Sequence, residues 1–159
     1  MSPIGTGVVL LCRHPDQLDT SRAVPGLVLG AVEEVMRYDS PADVSLLRVA
    51  LEDVELSGVM IRRGEGVLAH AGAANRDENS FPSASMFDIR GKGPAQLGFG
   101  HGIHFCLGAA LARLEGEIAL QSLVTRLPGL ALAVPENAIE WRPPLSVRGP
   151  DEVPVTWYG

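Results

Sequence analysis

Lysine is nearly missing from this chain: Lys92 is the only one, and no run of basic residues occurs anywhere. With a formal net charge of −6, that absence argues against nucleic acid and against an anionic membrane surface, and leaves small molecules as the better-matched partners. Long apolar runs are lacking too. The stretch Val8 to Cys12 is too short to cross a bilayer, and no basic leader or small-residue cleavage site accompanies it, so the expectation is a cytoplasmic protein with no membrane contact. Cysteine is scarce, with only Cys12 and Cys106, and internal repeats and low-complexity tracts are absent. What is present is 159 residues with 46% hydrophobic content, enough for residues 1–159 to form one unit with a real core and too apolar for disorder.

Along the chain, Val8, Val9, Leu10 and Leu11 end an apolar segment that His14-Pro15-Asp16 breaks, starting a short polar helix through Gln17 and Leu18. Pro25 opens the next helix, which carries Val28, Leu29, Val32, Val35 and Met36 on one face and stops before Asp39-Ser40-Pro41. Glu34 and Arg37 within it are near enough to pair, and spacing alone reads as a solvated helix pair. Val44 to His70 breaks into short β-prone runs and predicts a small antiparallel sheet. Ala71 to Arg76 predicts one helical turn, and Asp77 to Pro94 a structured loop. Pro128-Gly129 should end a long helix, followed by a strand over Leu130 to Val134 and a hairpin over Val147 to Trp157 around Gly149-Pro150-Asp151.

The chemistry concentrates in Phe99-Gly100-His101-Gly102-Ile103-His104-Phe105-Cys106-Leu107-Gly108, one cysteine on a glycine-lined loop. A helix follows at once, with Ala109, Ala110, Leu111, Ala112, Leu114, Ile118, Ala119 and Leu120 at helical spacing. Cys106 therefore lies at a helix N-terminus, where free N–H groups and the positive end of the dipole favour a thiolate. Gly100, Gly102 and Gly108 carry no Cβ, so a flat ligand could come close to the backbone. An isolated free cysteine is usually a small buried hydrophobe, the reading that suits Cys12. His101, His104 and Cys106 could ligate zinc, but no Cys-x-x-Cys or His-x3-His pair supplies a fourth position. Gly98, Gly100 and Gly102 alternate, with Phe105 where the third glycine of a dinucleotide fingerprint would fall.

Phe-x-x-Gly-x-His-x-Cys-x-Gly resembles the cysteine-ligand loop of the cytochrome P450 family. The order of elements, helix with Glu-x-x-Arg, small sheet, meander, cysteine loop, long helix and C-terminal hairpin, resembles the C-terminal portion of that family over nearly the whole chain. The resemblance implies a mainly α fold with small antiparallel sheets (α+β), truncated relative to the family, that binds haem b. It implies Cys106 as the axial ligand of the haem iron, with Phe99, Gly100, Gly102 and Gly108 forming the loop around the haem. Arg48 and His104 match positions that bind haem propionates, a role that suits an arginine fork and a histidine donor. Glu34 and Arg37 match the family's structural ion pair beneath the haem. The implied reaction is monooxygenation of a small organic substrate with O2, using electrons from a ferredoxin or flavoprotein reductase, because thiolate ligation favours cleavage of the O–O bond. A disulfide between Cys12 and Cys106 is then not expected.

Three departures from the family's pattern shape the expectations. In Phe81-Pro82-Ser83-Ala84-Ser85-Met86-Phe87, Met86 occupies the place of the arginine that joins the Glu-x-x-Arg pair, so one leg of that triad is expected to be missing. Gln96 stands where many members carry a histidine or another polar residue near the haem edge, a milder change. Ile4 to Leu10 resembles only the tail of the long central helix, so the acid and alcohol pair that delivers protons is expected upstream of Met1 and no catalytic residue is assigned. The chain is accordingly expected to be inactive alone, with an exposed apolar face that drives self-association or recruits a partner chain. The alternative is a non-catalytic auxiliary or binding protein built from the same family. The substrate stays open, since only Ala42 to Leu47 resembles a substrate-contacting segment.

Overall fold

The computed structural model describes residues 3–91, 95–142 and 147–158. It is helix-rich with short antiparallel ladders. Helix α1 (Ile4–Arg13) buries Val8, Val9, Leu10 and Leu11. It ends because His14 precedes Pro15, and a residue before proline is pushed out of the helical region; its N–H still reaches back to the Leu10 and Leu11 carbonyls. Pro15 then starts α2 (Pro15–Ala23), with Asp16 in the first turn and Arg22 in the last, each matched to the dipole. Pro25 opens a 3-10 turn, Pro25–Leu27, which runs into α3 (Val28–Tyr38).

The core sits where α1 and α3 meet α5 (Ala109–Arg126). Two glycines set how closely those helices cross. A Cβ on Gly7 would stand 3.1 Å from Leu120, and one on Gly116 would stand 3.1 Å from Val32. Gly30 on α3 is tighter still, since a Cβ there would lie 2.5 Å from the Ile89 carbonyl oxygen. Ile89 is buried in the same core, and its N–H donates to Gln17 Oε1 on α2 at 3.2 Å. The loop that follows Asp77 is thereby pinned across the helices; it turns at Ser83, which has φ +61°, and residues 92–94 at its end lie outside the described residues.

Between Val44 and His70 there are two ladders instead of one sheet. Strand β1 (Arg48–Val49) pairs with β4 (Gly66–Val67), and β2 (Val54–Leu56) pairs with β3 (Val59–Ile61), both antiparallel. Ser57 and Gly58 both take positive φ in the two-residue turn that closes the second ladder. Helix α4 (Ala71–Ala74) is a single turn, its first free N–H groups capped by the His70 ring, which accepts from Ala73 N. The hairpin expected over Val147 to Trp157 does not form. Pro150 and Pro154 have no N–H to give such a ladder. Instead β6 (Val155–Thr156) reaches back to β5 (Ala131–Leu132), and Gly149 to Asp151 pairs with Glu140 to Arg142.

Glu34 and Arg37 form a buried ion pair, with relative exposures of 8% and 9%. Arg37 Nε and Nη2 donate to the two Glu34 carboxylate oxygens at 2.8 and 2.7 Å. The other donors go to main-chain carbonyls: Nη1 to Asn75 and Ala84 at 3.0 and 2.9 Å, and Nη2 to Met86 at 2.8 Å. Glu34 Oε1 also accepts the Asp88 N–H at 2.9 Å. With Met86 in place of an arginine donor, the Asp88 N–H is the main-chain donor to Glu34, while the Met86 carbonyl accepts from Arg37 and its side chain faces solvent. One residue earlier on α3, Glu33 pairs with Arg113 of α5. Burial pushes the Glu33 carboxyl up, but hydrogen bonds from Arg113 and Gln96 outweigh it and hold the group below its usual range.

Two outcomes follow from these pairs. Arg37→Ala strands a buried carboxylate and three carbonyls, and chemical denaturation should show a loss of about 3 to 5 kcal/mol, against well under 1 kcal/mol for an exposed helix pair. Glu33, depressed in the folded state, contributes stability that is fully present above the ordinary glutamate range near pH 4.5 and is lost as pH falls through its lower folded value. Unfolding free energy measured below that pH should fall more steeply for the unsubstituted chain than for Glu33→Gln; equal slopes would remove the depressed carboxyl.

Candidate functional site

The cysteine loop hangs between α3 and α5 from a small second core of Met36, Phe99 and Ala109, with Ala112 packed on it. Gly98 lets the loop approach α3, since a Cβ there would meet Ser40 Oγ at 2.6 Å and the Met36 carbonyl at 2.9 Å. Asn75, fully buried after α4, holds the loop from the other side: its Oδ1 accepts the Leu97 N–H at 2.8 Å and its Nδ2 points to the Met36 carbonyl at 3.5 Å. Sequence reasoning assigned no role to Asn75, Gly98 or Ser40. Only the fold shows that Asn75 is buried, and a polar side chain inside must find partners.

From Phe99 the chain turns twice through left-handed backbone, at Gly100 with φ +76° and Gly102 with φ +73°. Glycine is required at both turns. Around Gly102 nothing lies within 4 Å of where a Cβ would be, so that backbone faces open space. A 3-10 turn over Gly102–His104 carries His104 outward. The Cys106 N–H then donates to the Phe99 carbonyl at 2.9 Å, closing the loop on itself. Cys106 is exposed, and α5 begins three residues later after Gly108, whose Cβ would lie 3.9 Å from the Cys106 Sγ. The thiol is thus presented to the outside at the head of an 18-residue helix.

The surface around that thiol is apolar. Ile103 is 97% exposed and Leu107 fully so, and Phe105 is exposed beside them. Leu111, Leu114 and Ile118 continue the strip along α5. Arg48, in contrast, sits on β1, exposed, with Nη1 donating to the Leu46 carbonyl at 3.3 Å. Among the described residues no hydrogen bond or ion pair joins Arg48 to the cysteine loop, so the structure gathers Phe99, Gly100, Gly102, His104, Cys106 and Gly108 into one loop and leaves Arg48 on a separate ladder. Glu34 and Arg37 lie behind the loop on α3, with all five guanidinium donors taken. Cys12 is half-buried against the core, where burial pushes its thiol pKa up, and both cysteines are free.

A groove of about 920 Å³ opens elsewhere, between α3 and the loop bearing Phe81 and Met86. Gly91 and Ala95 form part of its rim, on either side of the undescribed residues 92–94; of its charged lining groups Glu34 pairs with Arg37 and Glu33 with Arg113, and Asp88 and Arg90 also line it. No group of three or more His, Cys, Asp or Glu among the described residues is placed to hold a bare metal ion, and the zinc reading has no support there. No helix among the described residues is long and apolar enough to cross a membrane. A single exposed thiol, an open glycine backbone and a bordering apolar strip fit a flat, largely apolar group carrying its own metal, which is what a haem is.

Comparison with known proteins agrees. The Cytochrome P450 family model matches residues 19–129. The chain is 45% identical over 159 residues to 6-deoxyerythronolide B hydroxylase of Saccharopolyspora erythraea, covering all of this chain and 39% of that protein. It is 46% identical over 156 residues to the biotin biosynthesis cytochrome P450 of Bacillus subtilis, covering 97% of this chain and 38% of that one. The crystal structure of P450BioI with an acyl carrier protein ligated to hexadec-9Z-enoic acid superposes with a TM-score of 0.92 at 44% identity, over 99% of this chain and 40% of that chain. The chain spans about two fifths of the length of the relatives it matches, and over that span its sequence and fold agree: it belongs to the cytochrome P450 family, whose cofactor is haem b.

Proposed function

We propose that this chain is the haem-thiolate portion of a P450-type monooxygenase and that Cys106 is the axial ligand of the haem iron. The observation that carries this is the exposed Cys106 at the head of α5, fixed through its own N–H to the Phe99 carbonyl and bordered by the outward Ile103 and Leu107. Bound haem with a thiolate ligand supplies the activation of O2 for oxidising a small organic substrate. The chain's own residues supply position. Gly100 and Gly102 turn the loop so that its backbone is open to a flat face, and Phe99 anchors it in the second core. The exposed apolar strip gives an apolar group seated on the thiol a matching border. Arg48 and His104 are the groups proposed to hold the propionates through charge-assisted hydrogen bonds, since both are exposed and free to turn toward an anion. Neither acid nor alcohol suited to proton delivery is assigned among these residues.

Substrate, reductase and setting belong to the same proposal: a small organic substrate, electrons from a ferredoxin or flavoprotein reductase, and work in the cytoplasm. These 159 residues alone are proposed not to hydroxylate, because they align with about two fifths of their relatives and leave the strip from Leu107 to Ile118 uncovered. That strip also favours the second reading, a non-catalytic auxiliary protein that docks through it, with self-association as its simplest form. Haem stoichiometry separates the two.

The purified chain, reduced under carbon monoxide, should show the thiolate Soret signature, and Cys106→Ser should abolish it while Cys12→Ser leaves it intact. Identical behaviour of the two variants would remove Cys106 from the iron. In haem titrations, Arg48→Ala and His104→Ala should each weaken retention by on the order of 1.5 to 3 kcal/mol. Unchanged affinity in both would take the propionates elsewhere.

A further inference from the structure

Glu33, Gln96, Phe99 and Arg113 form a cluster that the proposed ligation does not use. Three segments contribute: α3 gives Glu33, the entry of the cysteine loop gives Gln96 and Phe99, and α5 gives Arg113. The Arg113 guanidinium lies over the Phe99 ring, 4.5 Å from its centroid. The Glu33 carboxylate holds it there, accepting from Nε and, at 3.2 Å, from Nη2. Gln96 Nε2 donates to the same carboxylate at 3.1 Å, while Gln96 Oε1 accepts the Gly98 N–H. One carboxylate therefore fixes both the start of the loop and the cation that covers Phe99.

The other side of Phe99 is its carbonyl, and that is the acceptor for the Cys106 N–H at 2.9 Å. The cysteine hangs from the residue whose ring is clamped. A plain lock between two helices would need only the α3 to α5 pair, with neither Gln96 nor an aromatic ring under the guanidinium. A bidentate carboxylate fixes the plane of a guanidinium, and a fixed plane is what stacking on a ring requires. The partial burial of both charged side chains, 36% and 33% exposed, keeps the cation against the ring with less competition from water than at an open surface.

We propose that Glu33 and Arg113 are positioning residues for Cys106: by clamping Phe99 they fix the carbonyl from which the cysteine amide hangs, and so set where the thiol is presented to the iron. The clamp stands on geometry alone, whereas its consequence for iron rests on the proposed ligation by Cys106.

Amide hydrogen exchange tests the clamp without haem. The rate at Cys106 is compared with that at Leu120, a core amide of α5, so that global destabilisation cancels in the ratio. Arg113→Ala and Glu33→Gln should raise the ratio about tenfold, the size expected for losing a partly desolvated cation and ring contact. Arg113→Lys keeps a charge facing Glu33 but lays no plane on Phe99, so it should still raise the ratio several-fold and serves where the alanine variant fails to fold. Arg22→Ala is the control for a lock of the other kind, since Arg22 donates to the Val124 and Leu127 carbonyls at the far end of α5; its ratio should not change. An unchanged ratio in the Arg113 variants overturns the clamp.

The second arm is the reduced carbon monoxide spectrum of the chain expressed with haem supplied. Arg113→Ala should lose part of the thiolate signature relative to the unsubstituted chain, and Arg22→Ala should not. A raised exchange ratio with an unaltered thiolate spectrum overturns the claim that the clamp sets the iron ligand. A raised ratio in a chain that shows no thiolate signature even unsubstituted keeps the clamp and overturns the ligation by Cys106 instead.

Discussion

Arg37 has five N–H donors, and each one meets an acceptor. A guanidinium this buried is costly unless it is completely paired, so the chain segments that pair it have no freedom to sit elsewhere. Those segments are Glu34 one turn back on α3, the Asn75 carbonyl after α4, and the Ala84 and Met86 carbonyls in the loop beyond. Three stretches, the farthest 49 residues along the chain from Arg37, meet at one side chain. The loop that leaves this point runs on toward the cysteine, so the guanidinium orders the approach to the site although it lies behind it. The main chain also supplies Glu34 with a donor in the absence of an arginine at position 86, since the Asp88 N–H donates to Glu34 Oε1, and a backbone group needs no particular side chain to supply it.

Glu33 and Glu34 are neighbours on α3 with opposite assignments, and the difference follows from helical geometry. Successive residues are about 100° apart around the helix, so Glu34 points to the loop over 84–88 while Glu33 points to α5 and the loop over 96–99. One helix thereby holds both ends of the long irregular segment between α4 and α5. The two carboxylates differ in setting as well. Glu34 is closed in and fully engaged, whereas Glu33 keeps a third of its side-chain surface open to solvent and is held in its charged form by Arg113 and Gln96.

Helices and the cysteine loop were legible in the sequence because their signals are local. Pro15 and Pro25 mark the starts of α2 and of the turn before α3, glycines flank the thiol, and apolar residues recur at helical spacing through α5. What resisted reading depends on partners distant in the chain. Spacing alone made Glu34 and Arg37 a solvated pair, and only the loop folding over them, together with the family resemblance, makes them a buried one. The hairpin expected at Gly149-Pro150-Asp151 rested on residues common in turns, yet that stretch is extended against Glu140 to Arg142, and the strand after it pairs with Ala131 and Leu132, more than twenty residues upstream. Asn75 and Gly98 escaped because nothing next to them in sequence signals what they touch. Their meaning lies in the Leu97 N–H and in Ser40.

Helix α5 carries a further constraint that only its whole circumference shows. Ala109, Gly116, Leu120 and Val124 face the core, and Leu111, Leu114 and Ile118 lie on the opposite side, exposed. A surface helix usually keeps one apolar stripe and one polar face, and a helix apolar on both sides is the kind found buried. On the core face Gly116 lets α3 approach, since a Cβ there would meet Val32, while α1 comes close through its own Gly7 against Leu120. The exposed face begins at Leu107, directly beside Cys106, so the thiol and the apolar strip form one continuous surface. A flat apolar group laid against the thiol would cover only the head of that strip. The same helix thus has two roles: it seals the core on one side, and at its head and outer face it brings an exposed thiol together with an apolar surface of the kind that marks an interface.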